Sequence, residues 1–210
     1  MDRPNRPANL AATPAQPSAQ VQTSHNNTSV SASLPTGDSV EILLHGATVT
    51  SWKTPSSSSA PRENLWLSSA AILDGSKPVR GGIPLVFPVF GPPPAGSKLP
   101  QHGFARNVRW EFLGKSTSEG DAAGVKLDFG LSSETLPPDW RDKWGYQFGL
   151  VYSVTLAPGS LGTSLVVSNE GDDAFELQAL LHTYLTVEVR YINNLASPHP
   201  RFRFPCPSHF

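Results

Sequence analysis

The side chains best suited to moving protons and holding an anion belong to Arg80, Gln101, His102, Arg106 and His182. Arg80 sits in "KPVRGG", a planar cation beside Gly81 and Gly82. A guanidinium fork suits phosphate or carboxylate, and glycines let the backbone approach a ligand closely. Taken alone, the feature fits a surface arginine before a turn better. "LPQHGFARNVRW" gathers Gln101, His102, Arg106 and Arg109 around Gly103 and Phe104. That mixture suits a sugar: donors for hydroxyls, a cation for an anionic substituent, a ring face for C–H groups. It fits equally well a solvated loop entering the strand "VRWEFLG", and Arg109, nearest that strand, matches the loop reading best.

His182 stands in "FELQALLHTYL". As a strand, this segment puts Phe175, Leu177, Ala179 and Leu181 on one face. Glu176, Gln178, Leu180, His182 and Tyr184 then share the other, too polar for a core and too mixed for plain solvent. Such a face suits the floor of a binding cleft, and histidine suits proton transfer near neutral pH. An ordinary strand histidine explains the same pattern as readily. No Cys/His spacing suggests zinc, and neither a phosphate-binding glycine loop nor a G-x-S-x-G elbow occurs.

These residues need elements to hold them. "RGGIPLVFPVFG" is too apolar for a surface loop, yet Pro84 and Pro88 would each remove a donor from a regular central strand. It reads as a buried, irregular crossing segment. Elsewhere period-2 alternation dominates. Val40, Ile42 and Leu44 alternate up to a break at Gly46–Ala47, and Val125, Leu127 and Phe129 share a face. Leu150, Tyr152, Val154 and Leu156 lead into a Pro158–Gly159 turn with a return over Leu165–Val167, which predicts a hairpin. "AFELQALLHTYLTV" is the longest strand candidate. Helical signals are confined to "LSSAAILDG" and "PPDWRDKWG". The expected class is all-β, a sandwich of short strands.

Sixteen Lys+Arg against 17 Asp+Glu give a formal net charge of −1, which offers no field for nucleic acid or a membrane surface. No window approaches the roughly 20 apolar residues that span a bilayer. The amino-terminal residues lack the apolar core of a secretion signal, and the single cysteine, Cys206, fits a reducing compartment. A cytoplasmic location is expected. Residues 1–28, poor in large apolar side chains, read as disordered. Residues 29–188 read as the sandwich domain, and 189–210 as an atypical proline-rich tail.

Taken in order, "LLHGATVTSWK", "NLWLSSAAILDGSKPVRGGIPLVFPVFG", "LPQHGFARNVRWEFLG" and "LLHTYL" resemble the hexose-6-phosphate mutarotases. These are the glucose-6-phosphate 1-epimerases, a branch of the aldose 1-epimerases, and the motifs resemble those of fungal members. The resemblance implies a galactose-mutarotase-like β-sandwich. It implies interconversion of the α and β anomers of hexose 6-phosphates without cofactor or metal, and a monomer is expected. By motif, it implies that Arg80 and Arg106 contact the phosphate and substrate, with Gln101 beside them. His182 would protonate the ring oxygen, and His102 would be a second substrate-contacting histidine.

The resemblance also implies a C-terminal glutamate base and a substrate-binding aspartate. The sequence after "LLHTYL" does not match that pattern, so a truncated domain lacking its base is expected. A non-catalytic module that binds sugar phosphates is the alternative.

Overall fold

The computed structural model describes residues 18–57, 60–117 and 124–187. Strands β1 (Gln20–Thr23), β2 (Ser29–Ser33), β3 (Ser39–Leu43), β4 (Thr48–Thr54) and β5 (Arg62–Glu63) follow one another as an antiparallel five-stranded sheet. A two-residue strand, β6 (Leu85–Val86), comes next. Then β7 (Glu111–Thr117), β8 (Val125–Ser132), β9 (Phe148–Ala157) and β10 (Ser160–Asn169) form a second antiparallel sheet of four strands. Finally β11 (Leu180–Leu181) returns to pair with β6. The fold is an all-β sandwich, as expected. Among the described residues no helix is long and apolar enough to cross a membrane.

Alternation dictates which faces meet. In β8, Val125, Leu127, Phe129 and Leu131 are buried while the residues between them are half-buried. In β9, Phe148, Leu150, Tyr152, Val154 and Leu156 are buried likewise. They join Val30, Ala32, Val40, Ile42 and Val49 of the first sheet in one apolar cluster. Burying each such leucine, valine or phenylalanine contributes about 1.5–3 kcal/mol. The predicted hairpin forms with its turn at Pro158–Gly159, where Gly159 has φ +69°. A buried carboxylate ties that turn to the other sheet. Asp38 accepts the Gly159 N–H at 2.9 Å and the Thr36 hydroxyl at 2.6 Å.

Three expectations need correction. The segment 1–28 is not disordered throughout, because β1 pairs with β2 from Gln20↔Ser33 to Thr23↔Val30. Strand pairing uses backbone groups, so a segment with Val21 as its only large apolar residue can still join a sheet edge; residues 1–17 lie outside the described residues. "AFELQALLHTYLTV" is not the longest strand, since only Leu180–Leu181 is regular, and Leu177 and Ala179 are exposed. "LSSAAILDG" forms turns, whereas "PPDWR" gives a short helix, α1 (Pro138–Arg141). The tail 189–210 falls outside the described residues.

Candidate functional site: a histidine pair beside a half-buried arginine

Gly81 to Val89 are all buried, although Pro84 and Pro88 interrupt them. Their partner is the segment carrying His182. The Gln178 N–H donates to the Pro88 carbonyl at 2.8 Å, His182 to Pro84 at 2.9 Å, and Tyr184 to Gly82 at 2.9 Å. Leu180 pairs with Val86 in the same register. The two segments therefore run antiparallel with facing residues at 178/88, 180/86, 182/84 and 184/82. Proline has no N–H, so two of these pairs are bonded in one direction only. That is why an extended segment contains only two residues of regular strand.

On its other side the buried segment meets β4, where the Ile83 N–H donates to the Val49 carbonyl at 2.9 Å. The contact requires glycine at position 82. Gly82 has φ +65°, and a Cβ there would overlap the Val49 carbonyl. Phe87 anchors the third neighbour, accepting the Phe104 N–H at 2.9 Å. Phe87, Phe104 and Phe148 form a triangle of rings with centroids 5.7 to 5.9 Å apart. This apolar block fixes both site-bearing segments to β9.

Above it lies a row of rings. Phe90 contacts His102 at 5.4 Å, and His102 meets His182 edge-on at 5.9 Å and 74°. His182 stacks on Tyr184 at 4.9 Å and 19°, and Tyr184 contacts Trp66 at 5.7 Å. Trp66 lines a cavity of about 530 Å³. Beyond Phe90, Pro88, Val89 and Gln178 line another of about 710 Å³. Neither imidazole lines either cavity.

His102 is held unusually firmly. Its backbone has φ +68°, its N–H donates to the Gly91 carbonyl at 2.9 Å, and Nδ1 accepts the Gly91 N–H at 3.0 Å. A backbone N–H can only donate, so Nδ1 must be unprotonated and the neutral ring carries its proton on Nε2. Partial burial, then the charges of Arg106 and His182, lower the His102 pKa. His102 is thus arranged as a neutral donor.

Arg106 lies on a short 3₁₀ turn (Ala105–Asn107) braced by Asn107 Nδ2 on the Gly103 carbonyl at 2.9 Å and Trp110 Nε1 on the Ala105 carbonyl at 2.8 Å. Its Nη2 donates to the Gln101 carbonyl at 3.1 Å. Its buried Nε has no partner among the described residues. Burial lowers the Arg106 pKa, and the neighbouring Tyr184 phenol partly opposes this. A partly desolvated guanidinium makes stronger charge-assisted hydrogen bonds to an anion than a fully hydrated one.

Of the residues singled out from sequence, His102, His182 and Arg106 come together, and Gln101 joins through its carbonyl. Arg80 is exposed, with no side-chain hydrogen bond or ion pair among the described residues. Its carbonyl accepts the Ser68 N–H at 3.0 Å, two residues before the glycine that pairs with Tyr184. Sequence reasoning placed Tyr184 on the His182 face without giving it a role, and it missed Trp66 and Phe90. The parity of positions 182 and 184 was the available signal for Tyr184. Nothing local distinguishes Trp66 and Phe90, 45% and 53% exposed, from core aromatics.

The sandwich has the galactose-mutarotase-like fold. The chain aligns structurally with a protein from Salmonella typhimurium described provisionally as a mutarotase, with a TM-score of 0.62 at 27% identity, over 82% of this chain and 53% of that one. The aldose 1-epimerase family profile matches residues 28–198, and the chain belongs to that family. An Escherichia coli protein provisionally named glucose-6-phosphate 1-epimerase is 38% identical over 146 residues, 70% of this chain and 44% of its own length. A Cenchrus ciliaris protein of the same provisional name is 34% identical over 150 residues, 70% of this chain and 43% of its own length. The chain therefore spans less than half the length of these curated relatives.

Proposed function

We propose that this chain carries the acid and the anion contact of an enzyme that interconverts the anomers of hexose 6-phosphates. The observation that carries the reading is the convergence of His102, His182 and the half-buried Arg106. Opening a hemiacetal ring requires a proton on the ring oxygen while one leaves the anomeric hydroxyl. In this reading His182 supplies the first proton, His102 donates a neutral hydrogen bond to a sugar hydroxyl, Arg106 holds the phosphate, and the anomeric hydroxyl's proton passes to water or to the carboxylate base that the family resemblance implies. Arg80 and Gln101 are assigned to the same phosphate and substrate contacts. Trp66 and Phe90 offer exposed ring faces to the apolar side of a sugar. Family membership and the names of the relatives support the substrate class.

The acid half is expected to contribute about 10²–10⁴ in rate. Anomer exchange of glucose 6-phosphate, followed by NMR saturation transfer, tests the reading. Exchange above the buffer rate that His182→Asn abolishes without loss of binding supports it. Binding without exchange favours a sugar-phosphate-binding module, and exchange that survives His182→Asn removes His182 from the acid role.

A further inference from the structure

We propose that Tyr184 is the positioning residue of His182, its phenol ring setting the plane in which the imidazole presents its nitrogens. The proposal deepens the reading of His182 as the proton donor and rests on it for its catalytic consequence. The geometry stands independently. The two rings lie 4.9 Å apart and 19° from parallel, within the range of stacked aromatic pairs.

The stack follows from the backbone. Positions 182 and 184 of an extended segment project to the same side. Both are pinned, His182 through its N–H on the Pro84 carbonyl and Tyr184 through its N–H on the Gly82 carbonyl, each at 2.9 Å. The Tyr184 carbonyl in turn accepts the Trp66 N–H at 2.9 Å, and the Trp66 ring lies against the phenol at 5.7 Å. The phenol is therefore held from both backbone and side chain before it meets the imidazole.

A catalytic histidine is ordinarily oriented by a hydrogen bond to one ring nitrogen. His102 follows that rule through the Gly91 N–H. The His182 side chain makes no hydrogen bond among the described residues, and no carboxylate pairs with it there. Its plane is fixed by rings instead, the Tyr184 face on one side and the edge of His102 on the other. Both nitrogens remain free for substrate. The electron-rich phenol face accepts the imidazole in either charge state, so the ring can give up a proton and recover it without turning.

Histidine-labelled protein tests this by NMR, with the His182 ring signal assigned by its loss in His182→Asn. In the unsubstituted chain we expect an upfield ring-current shift of His182 and cross-relaxation between the His182 and Tyr184 ring protons. Tyr184→Phe should keep the upfield shift and Tyr184→Val should lose it. In the exchange assay Tyr184→Val should lower kcat about 10- to 100-fold with KM little changed, and Tyr184→Phe should restore it. An unshifted His182 without cross-relaxation to Tyr184 overturns the proposal. So does a Tyr184→Phe variant that behaves like Tyr184→Val, because the hydroxyl would then be the active part. If Tyr184→Val does not fold, the unsubstituted chain and Tyr184→Phe still decide. Absence of exchange in every variant counts against the proposed function, while the ring signals still decide the stack.

Discussion

Pro84 accepts the His182 backbone N–H at 2.9 Å and, being proline, has none to return. The proposed acid thus hangs on a half-bonded rung, and Pro88 repeats the arrangement opposite Gln178. The side chains around the rungs hold the pairing together. The Gln178 Oε1 accepts the Phe90 N–H at 2.9 Å, and the Phe87–Phe104–Phe148 rings pack against the core.

Restoring the missing donor should be visible. In Pro84→Ala the new N–H faces the His182 carbonyl and is expected to exchange slowly with solvent. The added hydrogen bond contributes about 0.5–1.5 kcal/mol, and the freer unfolded chain offsets about 0.4–1 kcal/mol of that. Stability should therefore change by less than about 1 kcal/mol. A loop-like exchange rate for the amide introduced at position 84 would refute the one-directional pairing.

Gly82 and Gly91 both have positive φ, +65° and +74°, but only Gly82 lies against another backbone. Gly91→Ala should cost only the left-handed backbone penalty, roughly 1–2 kcal/mol. Gly82→Ala adds a collision with the Val49 carbonyl and should cost clearly more, as read from urea midpoints. Equal losses would show that the β4 contact is looser than the structure has it.

What could be read from sequence follows the same physics. Strand β8 and the β9–β10 hairpin were legible because their own side chains alternate between core and solvent. The His182 segment was not, because its regularity depends on donors that Pro84 and Pro88, about a hundred positions earlier, cannot supply. Strand β1 was missed for the converse reason: it is held by main-chain pairing with little apolar content. In the site, His102, Gln101, Arg106 and His182 stood out as polar groups beside apolar runs. The tautomer of His102 depends on Gly91 across a turn, and the stack depends on the rung geometry, so neither is written locally.

Acidification below about pH 6.5, the ordinary histidine value, should weaken the fold. Burial lowers the pKa of His102 and, despite the opposing pull of Asp74 and the Lys77 carbonyl, that of His45. A histidine depressed in the folded state is neutral there while the unfolded chain still binds a proton at about pH 6.5 and below. Its contribution is complete above that value and is lost as pH falls through the depressed folded pKa. His102→Gln keeps an acceptor for the Gly91 N–H but cannot titrate, so it should flatten the melting temperature against pH. His45→Gln should flatten it further. A wild-type midpoint that stays constant or rises on acidification across this window would contradict the assignment of His102 as a neutral donor.

Arg106 and Arg80 should separate in their effect on phosphate recognition. Arg106 is half-buried beside Tyr184, has an unpartnered Nε and sits on a turn braced at two points, whereas Arg80 is exposed. Desolvation strengthens a charge-assisted contact, and solvent screens an exposed one. Arg106→Ala should therefore weaken glucose 6-phosphate binding by about 1.5–3 kcal/mol, or roughly one to two decades in Kd. Binding of free glucose should fall much less. Arg106→Lys should recover only part of the loss, because an ammonium keeps the charge but not the fork. Arg80→Ala should also discriminate between the two sugars, by a smaller factor. Calorimetric titration of the three variants with both sugars measures this. A larger loss of selectivity in Arg80→Ala than in Arg106→Ala would move the phosphate to the Arg80 end of the ring row and leave the Arg106 guanidinium to the sugar hydroxyls.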